Sequence, residues 1–478
     1  MKEVKIILFF LSVMFLTAES MSAQIVTWQK ILDNNYGRFA RAYQLYDNNF
    51  IAVGSDIRGV GYKIYLAKYS FSGDSLWTQI IGNNNFSYDG NWVINDNKKG
   101  FIICGSTNKG NLGDGYLLNT DSIGNVIWSR SFNALGLDQS RCVKQAPDNG
   151  YIVLNRTVGS FNNIMLIKTN ENGDVQWQKI YHANNNQFGQ EVIALEDSYV
   201  IIGAAYSDVY LLKVNLNGDT LWSKRYGSIY SEYGFSIQLS NDNGFIIGGV
   251  ASNSSNMTNS LIVKTDSLGN MQWQRSYTAI YNELLYSARN LPGIGYIFCG
   301  TTDSVQGSLE RGFIRIIDFN GNVMHEKFYR ALNYFTEIKS VESTNDNGFI
   351  LSGVTQNQSG GQPKMYLAKT DSLGNIHPVG ISNLGSEIPT QFYLYQNYPN
   401  PFNSSTVIEF DVSNNFFVTL SIYDIKGKLI SKLIEKKLSA GKYKINYTIS
   451  EYNLSSGLYF YRLDIGEKIF TRRMIYLK

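Results

Sequence analysis

Short apolar runs bounded by Gly, Asn, Asp and Ser clusters fill most of the 478-residue chain, the pattern of many short strands joined by tight turns. One run, DNNFIAVG (47–54), returns as KKGFIICG (98–105), DNGYIVLN (148–155), DSYVIIGA (197–204), DNGFIIGG (242–249), GIGYIFCG (293–300) and DNGFILSG (346–353). A second column reads AKYSFSGD (67–74), LNTDSIGN (118–125), IKTNENGD (167–174), LKVNLNGD (212–219), VKTDSLGN (263–270), IIDFNGN (316–322) and AKTDSLGN (368–375). Tryptophan keeps step with both, at Trp28, Trp77, Trp128, Trp177, Trp222 and Trp273, and His325 takes the same place in the next copy. The strand and turn columns each have seven members, so one unit of about 50 residues is repeated seven times.

Within each copy the pattern predicts strand, tight turn, strand, loop, strand, turn, strand. Asn-Gly and Gly-Asn pairs supply the positive φ that hairpin turns demand. A four-stranded antiparallel sheet cannot bury both faces alone, so the copies must pack face to face around an axis. The predicted fold class is all-β, a seven-bladed β-propeller followed by a small antiparallel β-sandwich. The seventh copy lacks its fourth strand, because Ile376-His377-Pro378 stands there and proline spoils a central ladder. Conversely, Ile25–Leu32 reads as a fourth strand with no first three before it. This N-terminal strand is expected to complete the last blade and leave no unpaired edge.

Residues 1–23 read as an export signal, with Lys2 and Lys5 ahead of apolar Ile6–Leu16 and a small Ala23. That run is too short to span a bilayer and no other stretch is long enough, so no transmembrane segment is expected in the mature protein. The propeller is assigned to 24–378, a linker to 379–391, and the β-sandwich to 392–478 on its alternation and turn spacing.

Composition narrows the chemistry. Aromatic residues reach 14% and charged residues only 17%, with 43 Gly and 7 Pro, which fits strands and turns over helices. The net charge of +3 is uneven, because the tail from Gln391 holds 12 Lys/Arg against 7 Asp/Glu. No concentrated basic face argues for a nucleic-acid partner. Cys104, Cys142 and Cys299 lie in apolar runs and are read as buried, unpaired thiols. With His182, His325 and His377 the only histidines, neither a Cys/His catalytic pair nor a multi-histidine metal site is expected. No nucleophile elbow, phosphate loop, dinucleotide fingerprint or zinc motif is present. No catalytic, cofactor-binding or metal-binding residue is assigned, and no cofactor.

The repeated turns invite calcium or sugar-stacking readings, but their middle positions offer few oxygen ligands. They are read as structural turns, with the tryptophans packed between blades. They resemble the tryptophan-docking repeat of quinoprotein propellers, although Trp273 follows Asp266 one residue early and Leu-Gly-Asn replaces that family's Thr-Gly-Lys. The Asp box of sialidases is similar, with its Gly one place earlier; in both families such residues hold blades together. Asp-Ser/Thr-apolar triplets begin at Asp74, Asp121, Asp219, Asp266, Asp303 and Asp371. They are similar to the O-glycosylation sequon of exported Bacteroidetes proteins, although the turns would generate most of them in any case.

The tail opens Tyr395-Gln396-Asn397-Tyr398-Pro399-Asn400-Pro401-Phe402-Asn403, continues through IYDIKGKLI (422–430) and SSGLYFYRL (455–463), and ends in the basic strand TRRMIYLK (471–478). In that order these residues resemble the type A C-terminal sorting domain of the type IX secretion system of Bacteroidetes. The resemblance implies a partner, the type IX machinery acting through residues 392–478, and export through the periplasm. It further implies a secreted or outer-membrane surface-attached product, commonly after removal of the tail. For the cargo itself the reading is a binding or interaction protein, not an enzyme. It would take a glycan or protein ligand through loops at one end of its channel, with Ser252–Asn259, Asp303–Arg311 and Thr355–Lys364 as the candidates. Two alternatives stay open: a propeller-based polysaccharide hydrolase or lyase, and a structural surface or adhesion component.

Overall fold

A computed structural model of the chain describes residues 26–477 except 60, 97–99, 109–112, 133–136, 159–161, 183–185, 256, 278–281, 304–310, 330–333, 358–360, 377–381, 384–388, 404 and 449–454. The export signal expected over residues 1–23 lies outside the described residues. Every regular element among them is a strand.

Five blades are separate four-stranded antiparallel sheets, and two more are fused into one seven-stranded sheet. The fusion is the closure. In the long strand Trp28–Gln44, Trp28–Ile31 pairs with the third strand of blade 7, Trp28 opposite Lys369 and Ile31 opposite Tyr366. After an irregularity, Gly37–Gln44 pairs with Phe50–Asp56 as the first strand of blade 1. The chain is therefore a closed seven-bladed propeller, its last blade finished by the N-terminal strand. Closure is reinforced where Arg41 of blade 1 meets Glu342 of blade 7 at 2.7 Å.

The middle strands explain the apolar runs. Phe50–Asp56 is wholly buried and Lys63–Tyr69 nearly so, since each lies between two neighbouring blades and neither face meets water. The outer strand Ser75–Ile81 alternates exposed and half-buried positions instead. Lysines on third strands cross to the Asp of the turn between strands one and two, as in Lys168–Asp148 at 2.7 Å and Lys369–Asp346 at 2.9 Å.

Each blade's outer strand is riveted to the next blade. Trp128 stacks obliquely on Tyr151 at 6.4 Å, and its ring fills the space where a Cβ on Gly173 would stand, 2.4 Å away. Trp28, Trp77, Trp177, Trp222 and Trp273 repeat this contact against Phe50, Phe101, Tyr199, Phe245 and Tyr296. Four residues further on, Tyr181, Tyr226 and Tyr277 donate to the carbonyls of Gly218, Gly269 and Gly321 in the following blade. At the one joint without tryptophan, Tyr329 donates to the Gly374 carbonyl at 2.7 Å. His325 there has its Nε2 buried with no hydrogen-bond partner among the described residues.

The tail forms two four-stranded antiparallel sheets. One orders Ser382–Asn383, Gly441–Thr448, Ser405–Val412 and Tyr393–Leu394; the other orders Leu429–Leu438, Phe416–Tyr423, Gly457–Ile465 and Lys468–Tyr476. Ile408, Phe410 and Ile445 of the first meet Leu420, Tyr461 and Leu463 of the second in one apolar core, the β-sandwich arrangement. Ser382–Asn383, inside the stretch expected to be a linker, adds a short edge strand by pairing with Tyr443–Lys444. The opening motif ties the ends of the tail together. Asn397 Nδ2 donates to Thr406 Oγ1 at 2.9 Å, the Phe402 N–H to the Ile475 carbonyl at 3.0 Å, and the Ile475 N–H to Asn400 Oδ1 at 2.8 Å.

Candidate functional site

The innermost strand of every blade carries a β-bulge at one equivalent place. The pairing skips Ala40, Asn91, Arg141, Gln190, Phe235, Tyr286 and Lys339 in blades 1 to 7. A bulge bends its strand and breaks the two-residue alternation, so these side chains are re-aimed. All seven line one cavity of about 280 Å³ in the central channel. They sit near the middle of the paired first strands, as Arg141 does in Leu137–Gln145 and Lys339 in Tyr334–Ser343. Scaffold positions repeat around the ring, whereas these seven are seven different residue types.

Below the ring a chain of ion pairs crosses the channel. Arg289 binds Glu342 at 2.8 Å and approaches Glu191 at 3.6 Å, while Lys144 reaches Glu191 at 3.4 Å. Glu191 Oε2 also accepts from Ser236 Oγ and the Ile237 N–H. Burial alone would raise the Glu191 pKa, but Arg289, Lys144 and Arg41 outweigh it and hold the carboxyl down at about 2. Glu342 is lowered in the same way, against burial, by Arg289 and Arg41. Trp92 is sandwiched by cations, the Arg41 guanidinium 3.8 Å and the Lys144 ammonium 4.5 Å from its ring centre. Above them, Phe235 and Tyr286 lie 6.4 Å apart, and Lys339 Nζ stands 3.7 Å from the Tyr286 ring.

Residues singled out in the sequence fall elsewhere. Cys104, Cys142 and Cys299 are buried and unpaired, and burial pushes the Cys142 thiol up to about 11, so it behaves as a small apolar side chain. The repeated turns satisfy themselves. Asp266 Oδ1 accepts from the Leu268 and Asn270 N–H groups, and Oδ2 takes the Asn270 amide. With both oxygens so occupied, the turn serves the backbone rather than a cation. The hydroxyl-bearing residues of the triplets, Ser75, Ser122, Thr220, Ser267 and Ser372, are exposed, and Ser304 lies outside the described residues. The three candidate loops all join second to third strands, which puts them together at one end of the propeller. Residues 256, 304–310 and 358–360 of those loops are outside the described residues. The bulge ring escaped the sequence reading because its members share no residue type; the signal was one variable position inside otherwise alike first strands.

The family model for the secretion system C-terminal sorting domain matches residues 396–477. The tail is a type IX sorting domain. It follows the propeller in the chain and marks the protein for export, to the cell surface or beyond it. Among the described residues no helix is long and apolar enough to cross a membrane. No curated protein matches the chain. Solved structures of similar shape include Sqt1 from Chaetomium thermophilum, with TM-score 0.44, 9% identity, and coverage of 71% of this chain and 97% of that one. A puromycin hydrolase mutant complexed with PGG gives 0.43 at 9% identity, covering 67% and 50%. A putative gluconolactonase gives 0.34 at 10% identity, covering 57% and 88%. The fold assignment rests on the strand pairing described above and not on these likenesses.

Proposed function

We propose that the chain is an exported binding protein whose propeller takes a ligand, a glycan or protein, at the bulge ring of its channel. The observation that carries this reading is the contrast between ring and scaffold. Blade-to-blade contacts repeat around the molecule, while the seven bulged residues facing the cavity all differ, as recognition of an asymmetric ligand requires. The channel carboxylates favour binding over hydrolysis. A general acid needs a raised pKa, and Glu191 and Glu342 are instead held ionised by arginine. Screening the full mature chain against glycans and extracellular proteins tests this. Phe235→Ala and Tyr286→Ala should weaken any retained ligand, whereas Leu268→Ala, in an exposed turn, should not. Binding insensitive to both ring substitutions, or turnover of a polysaccharide, contradicts the reading.

The mature chain begins near Gln24 after signal removal, and residues 392–478 engage the type IX machinery from the periplasmic side. Deleting 392–478 should leave the protein in the periplasm; normal surface delivery of that truncation contradicts the assignment.

A further inference from the structure

The cavity is built for a negatively charged ligand. Five cations line it, Arg38, Arg41, Arg141, Arg289 and Lys339, against one carboxylate, Glu191. Four of the five are already matched. Arg38 has Asp89 at 3.7 Å, Arg41 has Glu342, Arg289 has Glu342 and Glu191, and Lys339 has Glu337. Arg141 has no ion pair among the described residues, and its Nε is buried without a hydrogen-bond partner. Burial and the guanidiniums of Arg156 and Arg38 disfavour its charge, and Asp89 offsets them only in part. A guanidinium whose Nε is buried without a partner is costly, and such a cost persists where a function uses it.

The other unpartnered atoms sharpen the ligand's description. Arg41 Nε and Trp92 Nε1 are buried N–H donors without acceptors among the described residues. The hydroxyls of Ser287 and Ser340, residues 3% and 4% exposed, have no partners either. All four residues line the cavity with Arg141. Three N–H donors and two hydroxyls call for an acceptor-rich ligand. On blades 5 and 6, Phe235 and Tyr286 present aromatic surface from their bulges, suited to the C–H face of a small ring. A volume of about 280 Å³ admits a ring or a chain end and no folded domain.

We propose that the ring binds an acidic saccharide, its carboxylate paired with Arg141 and its sugar ring against Phe235 and Tyr286; this rests on the channel being the ligand site. A peptide carboxy-terminus would share the carboxylate, but it brings no ring C–H face for Phe235 and Tyr286.

Calorimetric titration of the full mature chain tests the proposal, with digalacturonate and a glucuronate-terminated disaccharide as probes. Their neutral counterparts and a short peptide with a free carboxy-terminus are the comparison. Uronates should bind at least about tenfold tighter than the neutral sugars, the worth of one charge-assisted pair. Arg141→Gln should erase that preference while leaving the melting temperature unchanged or raised, since it removes an unpaired charge; a merely structural arginine would lower it. Equal binding of acidic and neutral sugars, lost in Phe235→Ala, overturns the acidic ligand but keeps the channel as the site. Capture of the peptide alone does the same. Failure of every uronate to bind overturns the proposal, and uronate binding indifferent to both substitutions overturns it together with the channel reading.

Discussion

The repeated turn shows how a single position is chosen. At 121–125, 266–270, 318–322 and 371–375 the first residue is Asp and the fifth Asn, whereas at 170–174 and 215–219 Asn comes first and Asp last. In both versions the first side chain accepts the third and fifth N–H groups through one oxygen. Its other atom then faces the fifth side chain, so in these six turns a carboxylate meets an amide and two carboxylates never meet. The fourth residue is Gly for a different reason. Gly173 has φ 79°, and a Cβ there would lie 2.4 Å from the Trp128 ring. Gly173→Ala should cost at least about 1–3 kcal/mol in urea denaturation for the backbone conformation alone, and unchanged stability contradicts the rivet. These features were legible because they recur. Arg141 was not, since its six equivalents are all of other residue types and the bulge shifts side-chain parity, leaving adjacent Cys142 in the core. Glu191 carries a pH signature. Its folded pKa of about 2 lies below the ordinary 4.5, so the folded state binds this proton more weakly than the unfolded state. The stabilisation is full above about pH 4.5 and is lost as pH falls toward 2. Glu191→Gln should flatten acid unfolding in that window and lower neutral-pH stability by about 3–5 kcal/mol, by leaving Arg289 and Lys144 short of a buried partner.

Among the elements, the closing strand carries the most weight. Trp28 is 3% exposed, lies against Phe50 at 5.7 Å and donates to the Phe71 carbonyl at 3.0 Å. Trp28→Ala should cost about 3–5 kcal/mol. Removing residues 24–36 should do more, uncovering the edge of Lys364–Thr370 and promoting self-association, read by light scattering. A monomeric truncation of unaltered stability contradicts ring closure. The sequence exposed this element by a deficit at one end and a surplus at the other. It did not expose the continuity of Trp28–Gln44, because nothing in local propensity tells one strand serving two blades from two strands. Ser382–Asn383 was hidden for a similar reason: a two-residue pairing is decided by its partner.

On the scale of the whole molecule, a symmetric scaffold and an asymmetric interior divide the work. Inter-blade tryptophans, buried middle strands and self-satisfied turns make the ring rigid, and a rigid ring can hold unpaired polar groups such as Arg141 in place for a ligand. The sorting domain has its own core and marks the propeller for export. A crystal structure of the full mature chain with a saccharide it retains tests the account most directly. The account predicts the sugar in the channel, between Arg141 on one side and Phe235 and Tyr286 on the other. A sugar seated on the outer strands or the repeated turns, with the channel empty of it, would contradict the account.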